Sequence, residues 1–184
     1  MTDTSVTLII GASHAGVQAA VSLRQGGYEG RVILIGDEVD LPYHRPPLSK
    51  DYLSGGKSLG EILLRPAASY ADADIELKLA ARITSLNPAE KTITSQDGET
   101  LAYDHLILAT GARVRKLPID GADHEHVYYL RDAKDVRAIM ARAKAGLRAV
   151  IIGGGYIGLE TAASLKKQGL DAVSYTHLTL PTKA

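Results

Sequence analysis

Residues 6–10, Val-Thr-Leu-Ile-Ile, form a β-rich run of mostly apolar residues that ends at Gly11. Beyond it the period changes: Val17, Ala20, Val21 and Leu23 fall at helical spacing, so residues 14–25 are predicted as a helix that stops at Gly26-Gly27. A second apolar strand follows at residues 31–35, and the first 36 residues therefore read as one βαβ unit. Its strands lack alternation, which is the pattern of a parallel sheet covered on both faces. Residues 41–50 hold three prolines and are predicted as an extended loop. Pro66 suits the first turn of a short helix through Tyr70, and residues 75–79 and 82–86 read as strands. Residues 91–95 and 99–103 flank Asp97-Gly98, a hairpin signal, and residues 105–109 give another buried strand. Val136, Ile139 and Met140 mark a helix over 132–144; a strand at 149–152 then runs into Gly153-Gly154-Gly155 and a helix over 157–168. The second βα unit repeats the first about 140 residues later, roughly a domain's length.

Composition narrows the chemistry. Lys plus Arg and Asp plus Glu balance at 21 each, so no net pull toward nucleic acid or acidic lipid is expected. No run approaches the roughly 18 apolar residues of a membrane span, and residues 1–5 lack the basic start of a signal peptide, which together predict a soluble, cytoplasmic protein. The 184 residues include no cysteine, so redox chemistry within them falls to a bound cofactor rather than a thiol relay or a cysteine-held metal.

Gly153-Gly154-Gly155-Tyr156-Ile157-Gly158 is a full G-x-G-x-x-G between a strand and a helix. The first glycine permits the turn, the second lets backbone approach a pyrophosphate, and the third lets helix pack on strand. Phosphates then meet the free N–H groups and positive end of the helix. Gly11-Ala12-Ser13-His14-Ala15-Gly16 is the same device with serine at the second glycine position, where a hydroxyl can donate to phosphate. An ordinary βα turn is the alternative for this weaker match. Asp37-Glu38 follows the second strand, where a carboxylate would accept from a ribose hydroxyl, although acids also open many surface loops. His14 is read as a polar helix-start residue without chemistry. The whole predicts an α/β fold of two Rossmann-like dinucleotide-binding units with a β-hairpin insertion, holding a flavin and a nicotinamide nucleotide.

Four runs together are similar to the NADH-dependent ferredoxin reductases of oxygenase systems, the putidaredoxin reductase and aromatic-ring dioxygenase reductase type. They are Leu41-Pro42-Tyr43-His44-Arg45-Pro46-Pro47-Leu48-Ser49-Lys50, Leu108-Ala109-Thr110-Gly111-Ala112, Leu130-Arg131, and Gly153-Gly154-Gly155-Tyr156-Ile157-Gly158-Leu159-Glu160. The resemblance implies that Gly11, Ser13, Ala15 and Gly16 cradle the FAD pyrophosphate and that Asp37 holds its ribose. It implies FAD contacts from Arg45, Ile83, Ala109, Thr110, Gly111 and Arg131, and NADH contacts from Gly153, Gly155, Ile157 and Gly158. Lys50 is implied to lie near the flavin ring and Glu160 near the nicotinamide, paired with Lys50 as the catalytic residues. The bland alternatives are solvated loop charges for Lys50 and Arg45 and a surface helix residue for Glu160. The implied function is transfer of electrons from NADH through FAD to a ferredoxin or rubredoxin that serves an oxygenase. Another NADH-dependent flavoprotein oxidoreductase of the superfamily, and a non-catalytic FAD- or NAD-binding sensor, are the alternatives.

The expected domains are an FAD-binding part over 1–114, a truncated NAD-binding part over 115–172, and a non-native tail over 173–184. The strand after the second helix should end in a carboxylate about 20 residues past the glycines. Residues 174–182, Ser-Tyr-Thr-His-Leu-Thr-Leu-Pro-Thr, hold no acid, and residues 173–182 match a translated transposase-end sequencing adapter. A divergent, threonine-rich strand is the competing reading. Sequencing the locus from an independent library is expected to give a different continuation after residue 173. A native gene reading Ser-Tyr-Thr-His-Leu there and stopping after Ala184 would overturn the expectation.

Overall fold

The computed structural model describes residues 4–175. The chain packs as two compact units, one within Met1–His44 and Leu63–Ala112, the other within Arg45–Ile62 and Arg113–Ala184. In the first, strands β1 (Val6–Ile10), β2 (Arg31–Ile35), β3 (Ile75–Lys78) and β7 (His105–Leu108) form a sheet in the order β3-β2-β1-β7, and every pairing is parallel. Helix α1 (His14–Gln25) connects β1 to β2, and α2 (Ala68–Asp72) leads into β3. Strands β4 (Ile83–Asn87), β5 (Thr92–Ser95) and β6 (Thr100–Ala102) form a separate antiparallel sheet.

The unbroken apolar character of β1 and β2 follows from burial on both faces. Ile9, Val32 and Leu34 pack with Val17, Ala20 and Val21 of α1, and with Tyr70 and Ile75. Their strand neighbours Leu8, Ile33 and Ile35 point the other way, onto Ala81 and Ile93. Alternate residues thus serve two different cores. Leu8, Ile9, Ile33, Leu34 and Ile35 are all 0–1% exposed, and burying each such side chain contributes about 1.5–3 kcal/mol. The predicted hairpin is present, but as two strands of a three-stranded layer whose Ile93 and Leu101 cover the sheet face opposite α1.

In the second unit, β8 (Arg148–Ile152) and β9 (Asp171–Tyr175) pair in parallel around α4 (Tyr156–Lys167). Helix α3 (Ala133–Arg142) opens with a capping box: the Asp132 carboxylate accepts from the Asp135 N–H at 2.8 Å, and that of Asp135 accepts from the Asp132 N–H at 3.2 Å. Strand β9 extends through Val173, Ser174 and Tyr175, three residues into the segment expected to be non-native. Backbone pairing requires only β-compatible residues there; residues 176–184 lie outside the described residues.

One expectation is corrected. The proline-rich segment contains a 3-10 turn, Pro46–Ser49, rather than running extended throughout. Leu48 N–H donates to the Arg45 carbonyl and Lys50 N–H to that of Pro47, both at 3.0 Å. The fixed φ of proline, near −65°, suits a 3-10 turn as well as extended chain. Burial of Leu48, Tyr52 and Leu53 decides between them.

Among the described residues no helix is long and apolar enough to cross a membrane. The face formed by Val150, Ile152, Val173 and Tyr175 of β8 and β9 is 40–55% exposed. A contiguous apolar face of this kind favours association. The 184-residue chain expressed alone is therefore expected to scatter light and bind a hydrophobic dye. Paired Val150→Lys and Val173→Glu substitutions should reduce both signals without changing the far-UV circular dichroism. Unchanged scattering would show that this face does not drive association.

Candidate functional site

The two glycine turns are close copies in geometry. Gly11 and Gly153, which end β1 and β8, have φ of +117° and +121°, a region that L side chains rarely adopt. Ser13 and Gly155 are the helix N-caps, both extended, with φ/ψ of −131°/−163° and −75°/171°. A Cβ on Gly16 would stand 1.9 Å from the Gly11 carbonyl oxygen, and one on Gly158 would stand 2.3 Å from that of Gly153. The third glycine in each turn is therefore demanded by close packing of helix on strand end. The middle position differs. Ser13 is in an ordinary backbone region, which explains why a serine is tolerated, and a Cβ on Gly155 would meet nothing within 4 Å among the described residues. Neither conformation nor packing in the chain requires glycine at 155. Open space at a helix N-terminus, where the first-turn N–H groups have no intrahelical acceptor, fits the approach of a phosphate.

In the first unit the predicted residues gather at the carboxyl ends of the parallel strands. β1 lies between β2 and β7, so the strand order reverses beside it, and ligands of open α/β sheets bind at such a switch point. Residues 109–111 run against the first turn: a Cβ on Gly11 would lie 2.1 Å from the Ala109 carbonyl oxygen and 3.0 Å from the Thr110 nitrogen. Ala109 N–H donates to the Ile10 carbonyl at 2.7 Å. Gly111 carries a positive φ of 66°, and Ile83 opens β4 half-buried. The structure separates the two acids after β2. Glu38 accepts a hydrogen bond from the buried Tyr43 hydroxyl at 2.5 Å, whereas Asp37 is exposed, its carboxylate 3.9 Å from the Arg82 guanidinium. Asp37 is thus the one presented outward. His14 and Ala15 are exposed at the helix start, and His14 Nε2 lies 3.3 Å from His44 Nδ1.

The second unit brings together Arg45 with Arg131, expected separately as cofactor contacts, and Lys50 with Glu160, expected as a pair. Arg45 donates to the Arg131 carbonyl at 3.1 Å, and the Arg131 N–H donates to the Asp135 carboxylate at 2.8 Å. Lys50 Nζ stands 3.3 Å from Glu160 Oε1. The other oxygen, Oε2, accepts from the Ser49 hydroxyl at 2.6 Å. The Ser49 bond holds the Glu160 carboxyl below the usual carboxylate range, partial burial opposes it, and Lys50 adds to the lowering. One turn along α4, the Ser164 hydroxyl donates to the Ser49 carbonyl at 2.8 Å; another turn on, the Gln168 amide donates to the Leu53 carbonyl at 2.5 Å. Ser49, Ser164 and Gln168 were not singled out from the sequence. The available signal was the spacing of 160, 164 and 168 along one helix face. An open hollow of ≈ 440 Å³ lined by Lys116, Leu117, Asp120 and Tyr129 also lies in this unit, and no motif residue lines it.

Residues 6–179 match the family model described as pyridine nucleotide-disulphide oxidoreductase. The chain belongs to that family. Several characterised reductases are similar to the chain in sequence. The ferredoxin reductase subunit of 5,5'-dehydrodivanillate O-demethylase from Sphingobium sp. (strain NBRC 103272 / SYK-6) is 48% identical over 88% of this chain and 39% of its own length. The rubredoxin-NAD(+) reductase of Pseudomonas putida is 40% identical over 85% of this chain and 41% of its own length. The crystal structure of the covalent putidaredoxin reductase–putidaredoxin complex superposes with a TM-score of 0.87 at 38% identity, over 92% of this chain and 42% of that one. The chain thus spans about two fifths of the length of these relatives. The disulphide in the family's name has no counterpart in these 184 residues, which hold no cysteine.

The glycine geometry gives a contrast to measure. In the full-length protein, Gly16→Ala forces a methyl against backbone and should lower stability by about 1–3 kcal/mol, the usual range for overpacking. Gly155→Ala meets open space and should stay within about 0.5 kcal/mol of the parent. Urea unfolding midpoints that move equally would refute the distinction.

Proposed function

We propose that the chain is the cofactor-binding front of an FAD-dependent reductase that takes electrons from NADH and passes them to a ferredoxin or rubredoxin serving an oxygenase. The observation that carries this reading is the presence of two glycine turns of matching geometry in one chain, with Lys50 and Glu160 paired beside the second. FAD, when bound, supplies the chemistry, accepting two electrons as a hydride and releasing them singly.

The chain's residues bind and orient. On this reading residues 1–114 form the FAD-binding part and residues 115–172 begin the NAD-binding part. Gly11, Ser13, Ala15 and Gly16 hold the FAD pyrophosphate at the start of α1, and Asp37 accepts from the ribose. Ile83, Ala109, Thr110 and Gly111 line the cofactor with backbone, and Arg45 and Arg131 supply cationic contacts. Gly153, Gly155, Ile157 and Gly158 receive the NADH. Lys50 keeps a fixed positive charge near the flavin, and Glu160 holds that ammonium in place at 3.3 Å. The ferredoxin reductase and rubredoxin reductase relatives support an iron–sulfur or rubredoxin acceptor.

Two substitutions in the full-length protein separate the sites. Asp37→Ala should weaken FAD retention while NADH affinity of the holoenzyme stays nearly unchanged; equal loss of both would mean the sites are reversed. Gly155→Val should raise the KM for NADH by tenfold or more, about 1.4 kcal/mol, with the yellow flavin still bound. A colourless but folded Gly155→Val protein contradicts the assignment. Holoprotein that reduces neither ferricyanide nor cytochrome c with NADH would favour a sensor over a reductase.

A further inference from the structure

Ser49 is 4% exposed, yet its polar groups are engaged on both sides. Its hydroxyl donates to Glu160 Oε2 at 2.6 Å, and its carbonyl accepts from the hydroxyl of Ser164, itself 5% exposed, at 2.8 Å. Both bonds run to α4, one helical turn apart. Lys50, the next residue, caps the 3-10 turn with φ/ψ of −121°/−113°. That backbone lets two consecutive side chains reach the two oxygens of one carboxylate. In a regular extended strand they would point to opposite faces.

We propose that Ser49 is a positioning residue: by fixing one oxygen of Glu160 it orients the other toward Lys50 and so sets where the Lys50 ammonium is held. A carboxylate with one oxygen bound can no longer rotate freely about its terminal bond, and the lysine, whose side chain has four flexible carbons, takes its place from the oxygen left over. A hydroxyl that donates to a carboxylate also favours its ionised form, and this bond holds the Glu160 carboxyl below the usual carboxylate range. The sign follows from that direction. The bridge is intact while Glu160 is ionised and is lost only as pH falls through its depressed value. Lys50 is the charged group facing Glu160 from the loop. One turn away on α4 the side chains are Tyr156, Ile157, Ala163 and Ser164, none of them charged at neutral pH. On α3, which packs against the same 3-10 turn, Asp135 accepts from the Arg131 and Asp132 N–H groups.

The role of Lys50 beside a flavin rests on the function proposed above; the positioning of Glu160 by Ser49 does not. Two separate measurements on the full-length flavoprotein keep them apart. Glutamate labelled with 13C at the side-chain carboxyl, with Glu160 assigned by its disappearance in Glu160→Gln, reports the ionisation directly. Ser49→Ala should raise the titration midpoint, because the bond that most favours the ionised carboxylate is gone. Gln168→Ala removes a bond from the same helix face to the Leu53 carbonyl without touching Ser49, Lys50 or the carboxylate, and should leave the midpoint where it was. If Ser49→Ala does not fold, Ser49→Cys is near-isosteric with a weak donor and must shift the midpoint in the same direction. A parent-like midpoint in the Ser49 variant, or an equal shift in Gln168→Ala, overturns the proposal. The flavin reduction potential of Lys50→Met tests the functional reading alone: no change there would sink that reading, whatever the titration gives.

Discussion

A helix that begins within contact distance of the strand before it leaves no room between them for a side chain. This constraint operates twice in the chain, where Gly16 and Gly158 each face the carbonyl of the glycine five residues earlier. It fixes the start of each helix against the end of its strand and aims the first-turn N–H groups past the carboxyl edge. The other features of the first unit are arranged around that edge. Residues 109–111 run beside it, and Asp37 leaves the end of β2 on the same side of the sheet. The burial of Ile9, Val32 and Leu34 beneath α1 keeps the helix from drifting off its strand. Packing and anion recognition are here one arrangement viewed from two sides.

In the second unit a different device does the holding. The segment 45–62 has little regular structure, and polar groups of α4 tie it down at three successive turns through Glu160, Ser164 and Gln168. Two of these bonds end on backbone carbonyls, so they depend on the path of the loop rather than on its side chains. The apolar contribution comes from Leu48, Tyr52 and Leu53, all buried. A loop anchored in this way can carry a charged residue such as Lys50 at a defined point while remaining half in solvent.

Much of the fold was legible because hydrophobic period and glycine placement are local signals. Strands at 6–10 and 31–35 and the helix at 14–25 match the pattern residue for residue. The pairing of Lys50 with Glu160 was also anticipated, though from resemblance rather than from spacing. What escaped was non-local. Nothing in residues 83–87 announces that the strand joins the hairpin in a layer over the central sheet, because that depends on which apolar face needs covering. Pro46-Pro47 fixes φ without choosing between extended chain and a 3-10 turn. Asp37 and Glu38 are interchangeable by composition, and it is the folded chain, with the Tyr43 hydroxyl on Glu38 and Asp37 left exposed, that distinguishes them. Ser49 looks like any loop serine until α4, more than a hundred residues away, turns a carboxylate toward it.

The order of strands in the first sheet bears on how the chain is made. β1 meets β2 within the first 35 residues, but on its other side it meets β7, and the Val6 N–H is bonded to an Asp104 side chain 98 residues further on. During synthesis the first βαβ unit can form while one edge of β1 still lacks its partner. Closing such a long loop is slow compared with pairing neighbours. The strand that carries the first glycine turn therefore spends the emergence of about seventy residues, from the end of β2 to the start of β7, half-paired. At the ribosome this makes it the natural hold for a chaperone and the natural place for two nascent chains to meet.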